Sequence, residues 1–285
     1  MQGIERRKTR RANPLRLTDG GVGLVAPLVA IALWHWIAVS GWDNPQVLPA
    51  PLEVWRKWVD YLLPLVAWAE YTDGGWLSWA LSGELPLDIC ASLYRVLLGF
   101  AIGAGLALPL GLAMGASRSV YAWFNPLVQV LRPIPPIAYI PLAMLWFGLG
   151  NPPAVFLIAI GAFFPVLMNT VAGVRQVDGI YLRAARNLGA GRMTMFVRVI
   201  LPAAVPYILS GVRIGIGTAF IVVIVAEMIA VNSGLGFRIS EAREYFWSDK
   251  IIAGMISIGL LGLAIDAGVT KLNNYLLRWH RGLEH

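Results

Sequence analysis

What most restricts the fold of this chain is a series of apolar runs, each about as long as a bilayer is thick. They fall at about 21–41, 92–115, 120–147, 153–173, 205–231 and 251–276. An α-helix rises ~1.5 Å per residue, so roughly 20 apolar residues cross the hydrocarbon core. Hydrocarbon offers backbone N–H and C=O groups no partner, so such runs must satisfy themselves as helices. Charged residues make up only 14% of the chain, well under the roughly 25% of soluble domains. The expectation is an all-α integral membrane protein with about six transmembrane helices. The stretch 60–69, DYLLPLVAWA, is too short to cross and is expected to lie on a surface. A basic start before an apolar run also opens a secretory signal. Here the run from Gly21 to Gly41 is a full span and no small-x-small cleavage site follows it, so it is read as a retained first helix.

The formal net charge is +7, which by itself admits a nucleic-acid partner. Outside Arg6-Arg7-Lys8-Thr9-Arg10-Arg11, however, the cations are scattered between apolar runs and form no continuous patch. No nucleic acid is expected. Membrane topology accounts for the cations instead. With the N-terminus inside, fourteen Lys and Arg fall on the cytoplasmic side and five outside, namely Arg56, Lys57, Arg238, Arg243 and Lys250. Loops rich in Lys and Arg stay in the cytoplasm, so both termini and the basic segment at about 175–202 are expected there. The chain then divides into a basic tail (1–20), a first helix with its outer loop (21–87), a helical core (88–276) and a short cytoplasmic tail (277–285). Cys90 is the one cysteine. It excludes an internal disulfide or a paired-cysteine metal site and is read as a small apolar filler.

Some spans carry residues that a plain apolar helix avoids. Arg132-Pro133-Ile134-Pro135-Pro136 and Pro141 interrupt the third run. An interior proline removes a backbone hydrogen bond and clashes with the preceding turn. At membrane depth the freed carbonyls belong beside packed helices or a cavity. Gly99/Gly103, Gly111/Gly115 and Gly211/Gly215 are each four residues apart, which lets helices approach closely. Arg132, Arg213, Glu227 and Asp266 are charges inside expected spans, and each must face protein or water rather than lipid. Arg213 and Glu227 are fourteen residues apart, about 21 Å along a helix, so they cannot pair with each other. Arg132, Pro135, Pro136, Arg213 and Glu227 are accordingly candidates for a solute path. Helix anchoring is the alternative, and the one taken for Asp266.

The chain shows no H-E-x-x-H, no G-x-S-x-G and no G-x-x-x-x-G-K-[ST] phosphate loop, and its three histidines are far apart in sequence. It is therefore not expected to be an enzyme, to hold a metal or to bind a nucleotide by those routes. A proton-coupled secondary transporter using Glu227 and Asp266 as a relay stays open on these residues alone.

The segment YLRAARNLGAGRMTMFVRVILP (181–202) carries four arginines and no acid. Gly189 is expected to separate two short helices between Asp178 and Arg198. Cytoplasmic placement accounts for the arginines but not for the spacing, which runs Arg183-Ala184-Ala185, three residues, Gly189, nine residues, Val199-Ile200-Leu201-Pro202. That spacing resembles the Glu-Ala-Ala-x3-Gly-x9-Ile-x-Leu-Pro loop of the membrane subunits of bacterial ABC importers. Arginine stands at the usual glutamate and valine at the isoleucine. The likeness extends over about 48–280, through LPAPLEVW (48–55), SLYRVLLGFAIGAGLALPLGLAMG (92–115), LRPIPPIAYIPLAMLWFGLG (131–150) and AEMIAVNSGLGFRISEAREYF (226–246). These stretches resemble the taurine, aliphatic sulfonate, nitrate and bicarbonate permease branch, with VNSGLGF and EAREYF nearer the sulfonate and taurine members.

The resemblance implies a type I ABC importer permease fold over 88–276, in the bacterial cytoplasmic (inner) membrane. Two copies would enclose a path for a small oxyanion, with taurine or another aliphatic sulfonate as the first choice and nitrate or bicarbonate as the alternative. Two ATPase subunits would use ATP and Mg²⁺, and an external binding protein would deliver the solute. The chain itself would bind no cofactor. Arg183, Ala184, Ala185, Arg186, Gly189, Leu201 and Pro202 would form the loop seated in the ATPase.

Overall fold

The structure, a computed structural model, describes residues 17–40, 47–66, 70 and 75–277. Arg6–Arg11, Arg278 and Arg281, which bear on the orientation argument, lie outside the described residues. Within them the chain forms twelve α-helices. In order they are α1 (Leu17–Val39), α2 (Pro51–Leu62), α3 (Trp76–Ala80), α4 (Glu84–Ala116), α5 (Arg118–Leu131), α6 (Ile140–Phe147), α7 (Asn151–Arg175), α8 (Gly179–Asn187), α9 (Arg192–Met195), α10 (Leu201–Ala230), α11 (Leu235–Glu244) and α12 (Ser248–Leu276).

Among the described residues, four helices are long and apolar enough to cross a membrane. They are α4, α7, α12 and one continuous helix Arg192–Ala230, in which α9, a single π turn at Phe196–Ile200 and α10 run together. The pair α5 and α6 is long and apolar enough only when taken together, and it is bent by 84° where the proline run was expected to break the third span. Pro133, Pro135 and Pro136 cannot donate backbone hydrogen bonds, and the chain passes through a 3-10 turn, Pro136–Tyr139, before it resumes as α6. The first apolar run forms the 23-residue α1. Trp34 ties it to the rest by donating its indole N–H to the Pro49 carbonyl (3.1 Å).

Within the stretch 60–69, Leu63, Leu65 and Val66 are exposed, as a surface segment should be, while Tyr61 at the end of α2 is buried with Leu85 and Leu235. Several expectations need correcting. The second of the two short helices expected around Gly189 is the first turn of the 39-residue helix. Cys90 is exposed rather than packed as filler. It stands two residues from Asp88, about 200° around α4, so it faces away from the side that buries Asp88 and Ser92. Finally, α4 begins at Glu84 rather than near residue 92, because its first turns carry polar side chains that find partners inside the protein.

Both α4 and α10 pack along α7, the most enclosed of the crossings. All three glycine pairs make that possible. Gly99 lies against Val155 and Ile158, Gly111 against Thr170, and Gly115 against Val174. From the other helix, Gly211 meets Asn169 and Gly215 meets Val166. A Cβ on Gly103 would collide with the Ala159 carbonyl, so backbone there approaches backbone with no room for a side chain. α12 joins through α2 and α11, and Trp58 of α2 donates to the Ser257 hydroxyl of α12 (2.8 Å). The starts of α4 and α7 and the end of α10 meet at one end of the bundle, beside α11. The turn between α8 and α9 marks the other end.

Candidate functional sites

At the α11 end the structure assembles a buried polar cluster. Asp88, Ser92 and Arg95 recur at i, i+4 and i+7 and so share one face of α4. The same stripe continues as Gly99, Gly103, Ala107 and Gly111 toward the opposite end. The polar part meets Glu227 of α10 and the turn that leads into α11. Arg95 donates from Nη1 to Glu227 Oε1 (2.6 Å) and to the Ser233 carbonyl (2.8 Å). Its Nη2 reaches Ser233 Oγ (2.6 Å) and its Nε reaches Asn151 Oδ1 at the start of α7 (2.7 Å). Glu227 Oε2 accepts from Ser92 Oγ (2.8 Å) and from the Gly236 amide (3.0 Å).

Asp88 and Ser92 complete the seat of α11. The Gly234 amide donates to Asp88 Oδ1 (2.8 Å) and the Leu235 amide to Ser92 Oγ (3.1 Å). Three successive amides at the start of α11 thus find a carboxylate or a hydroxyl, where negative charge also suits the helix dipole. Gly234 has φ +102, and a Cβ there would strike the Glu227 carboxylate, so only glycine fits. Asp88 Oδ2 accepts in turn from Arg238 Nε (2.7 Å) and Tyr61 OH (2.8 Å). Burial first, and then the Asp88 carboxylate, push the Tyr61 phenol above its ordinary range. Burial alone would lower Arg238, but its hydrogen bond to Asp88 and that carboxylate's charge raise it overall. Arg95 is 3% exposed and Glu227 0%. Desolvation of such a pair is offset only because nearly every polar atom in it is bonded.

The other membrane-depth charges separate. Arg213 does not reach Glu227, as its spacing required. It forms a two-pronged pair with Asp266 of α12, from Nε (3.0 Å) and Nη2 (2.9 Å). Both side chains are about half exposed on this chain. Arg132, Pro135 and Pro136 come together on a cavity of about 340 Å³ between the α5–α6 break, α7 and α10, which Gly161, Asn169 and Thr218 also line. Arg132 makes no ion pair among the described residues. Neither Arg213 nor Glu227 lines that cavity.

At the opposite end α8 stands away from the bundle. Asp178 caps it, accepting from the Ile180 amide (2.8 Å). It stops at Leu188, where the Gly189 and Ala190 amides turn back to Arg186 and Ala185 carbonyls and Gly189 takes φ +80. A left-handed residue after the last turn is a common helix stop, and glycine takes it without strain. Arg183, Ala184 and Arg186 are exposed on α8, and Ala185 is half-buried. Leu201 and Pro202 lie beyond the π turn at the start of α10. Around them the apolar side chains Ile180, Tyr181, Leu188 and Met193 are 61%, 63%, 89% and 75% exposed.

Sequence reasoning missed Arg95, Asp88 and Ser92. Arg95 stands inside an apolar run where one charge among more than twenty residues barely disturbs the hydropathy. The signal that finds it is the spacing of Asp88, Ser92 and Arg95 in register with the glycine stripe.

A bundle of apolar helices packed by glycine stripes, with one sharply bent helix pair and one basic turn standing free, is the architecture of a multi-pass membrane protein. A chain of the MetNI methionine ABC transporter, solved in an inward-facing conformation, shares this fold with a TM-score of 0.59. The match covers 66% of this chain and 94% of that one at 17% identity. Residues 105–280 match the binding-protein-dependent transport system inner membrane component, and the chain belongs to that family. The putative aliphatic sulfonates transport permease protein SsuC of Bacillus subtilis is 37% identical over 92% of this chain and 88% of its own length. The taurine transport system permease protein TauC of Escherichia coli is 34% identical over 91% and 89%. The nitrate import permease protein NrtB of Synechocystis is 33% identical over 95% of both. The chain is thus an ABC permease of the sulfonate, taurine and nitrate branch.

Proposed function

We propose that this chain is the membrane-spanning subunit of an ATP-driven importer in the bacterial cytoplasmic membrane. It forms the path for a small oxyanion, taurine or another aliphatic sulfonate, with nitrate or bicarbonate as the second reading because a nitrate permease is among the relatives. The observation that carries the proposal is the α8–α9 turn. Four apolar side chains exposed beside four arginines are an unusual surface for water, and they suit a groove in a partner protein. Two ATPase subunits would take this turn from each of two permease copies and would bind the ATP and Mg²⁺. An external binding protein would deliver solute at the α11 end, which the distribution of Lys and Arg puts outside. The 39-residue helix that starts just after the α8 turn ends at Glu227 and the α11 cluster. Movement of the turn is therefore carried, through one rod about 58 Å long, to the far end of α4, α7 and α11.

Arg132, Pro135 and Pro136 are the path residues in this reading. A proton relay through Glu227 and Asp266 is less favoured, since each carboxylate is engaged by an arginine, Arg95 and Arg213. Reconstitution of the complex with its binding protein, followed by uptake of taurine, alkanesulfonates, nitrate and bicarbonate, tests the assignment. ATP-dependent uptake of one sulfonate supports it, and uptake of nitrate alone moves the chain to the second reading.

A further inference from the structure

The helix that starts after the α8 turn is not uniform along its 39 residues. At Phe196–Ile200 it makes one π turn, and the Leu201 amide donates to the Phe196 carbonyl, five residues back rather than four. The sequence supplies a cause. Pro202 and Pro206 stand four and eight residues after Arg198. Neither carries an N–H, so α pairing has no donor to offer the Arg198 carbonyl, nor that of Pro202. A π turn inserts one residue into a helix. Returning it to α pairing moves each bond by one residue and turns the preceding segment by about 100° around the helix axis.

The two ends of this helix are held very differently. From Gly211 onward it lies against α7, Gly211 on Asn169 and Gly215 on Val166. Its far end is fixed by Glu227, which bonds to Arg95, Ser92 and the Gly236 amide. Around the π turn the packing is loose. Neither Arg192–Met195 nor Phe196–Ile200 contains a buried residue. A cavity of about 460 Å³ lies beside them, walled by Ala116 at the end of α4 and by Arg192, Met193, Met195, Phe196 and Ile200. It gives Phe196 and Ile200 room to swing, and methionine side chains refill a space that changes shape.

We propose that the π turn is a two-state joint, π-paired in one transport state and α-paired in the other. The α8 turn then rotates about the axis of α10 while the outer half of α10 stays clamped to α4 and α7. Push and tilt still pass along the helix, and only twist is taken up at the joint. A turn seated in a partner can thus keep its seat while the bundle rotates above it. The proposal rests on the ATPase-driven reading above and adds the place where its motion is converted.

The test uses the permease–ATPase complex reconstituted in lipid. Amide hydrogen exchange is read over 196–205, and ATP-driven uptake is read beside ATP hydrolysis. Amides of the turn are expected to exchange at least about tenfold faster than those of 211–219, and faster again during ATP turnover, because a turn that changes partners must open. Deletion of Val197, an exposed residue of the turn, removes the inserted residue and leaves a plain α-helix. It should slow the exchange to the rate of 211–219 and lower uptake per ATP about tenfold, with ATP hydrolysis retained. Pro202→Ala restores an N–H without changing the helix length and serves if the deletion does not assemble. It should move both readouts the same way by about threefold. Exchange as slow as in 211–219, or exchange that ATP turnover leaves unchanged, overturns the joint. Normal uptake per ATP in whichever variant assembles overturns it too. A wild-type complex that takes up no solute with ATP refutes the importer reading instead.

Discussion

Removing one member of the Arg95–Glu227 pair should be among the most damaging single changes in this chain. Arg95→Met keeps the aliphatic stem and deletes four hydrogen bonds, to Glu227, Asn151 and both polar groups of Ser233. Glu227 keeps Ser92 and the Gly236 amide but is left as a carboxylate with 0% exposure and no counter-charge. Stranding a buried charge in this way costs about 3–5 kcal/mol. Glu227→Leu strands Arg95 in the same manner. The double variant removes both charges, so it should cost less than the sum of the singles by about 2 kcal/mol or more. It should not recover fully, because in the double variant the Gly236 amide and the Ser233 carbonyl have both lost their partners. The assay is unfolding of the purified subunit in mixed micelles by sodium dodecyl sulfate, followed by tryptophan fluorescence. Single losses under about 1 kcal/mol, or a double variant that is simply additive, would refute the reading of this pair as a buried, mutually dependent ion pair.

Three further outcomes follow from named contacts. Gly103→Leu should destabilise the subunit by about 2 kcal/mol in the same titration, because its Cβ meets the Ala159 backbone, whereas Gly105→Leu, with nothing within 4 Å, should stay within about 0.5 kcal/mol. Ala185→Glu should leave the complex assembled and hydrolysing ATP while uptake per ATP falls about tenfold, since a charge enters a half-buried position of α8. Unchanged uptake would end the coupling role of that helix. The raised pKa of Tyr61 makes its contribution to stability complete below about pH 10, where free tyrosine is still protonated. That contribution is lost as pH rises above it toward the folded value, so Tyr61→Phe should flatten the alkaline limb of a stability–pH curve.

Much of the fold was legible because membrane helices declare themselves by length and by what they exclude. Pro133, Pro135 and Pro136 marked the 84° bend, since missing N–H groups act locally and need no partner to be read. The three glycine pairs marked the helix faces that meet α7, for the same local reason. Gly189 marked the end of α8. The polar cluster was much less legible. Glu227 was visible as a charge, but its partners are Ser92 and Arg95 of α4, as many as 135 residues away in sequence, and the Gly236 amide of α11. A hydropathy run averages Arg95 away, and only its register with Asp88 and Ser92 marks it as inward-facing. Arg213 and Asp266 were each visible, yet their pairing across 53 residues is a property of how α12 lies on α10.

The most direct test of the importer reading is to purify the chain from its native host and assay the complex in liposomes. An ATPase subunit should co-purify, and solute uptake should require ATP on the side that carries the α8 turn and persist when the proton gradient is collapsed. Uptake driven by a proton gradient alone, with no ATPase in the complex, would contradict it.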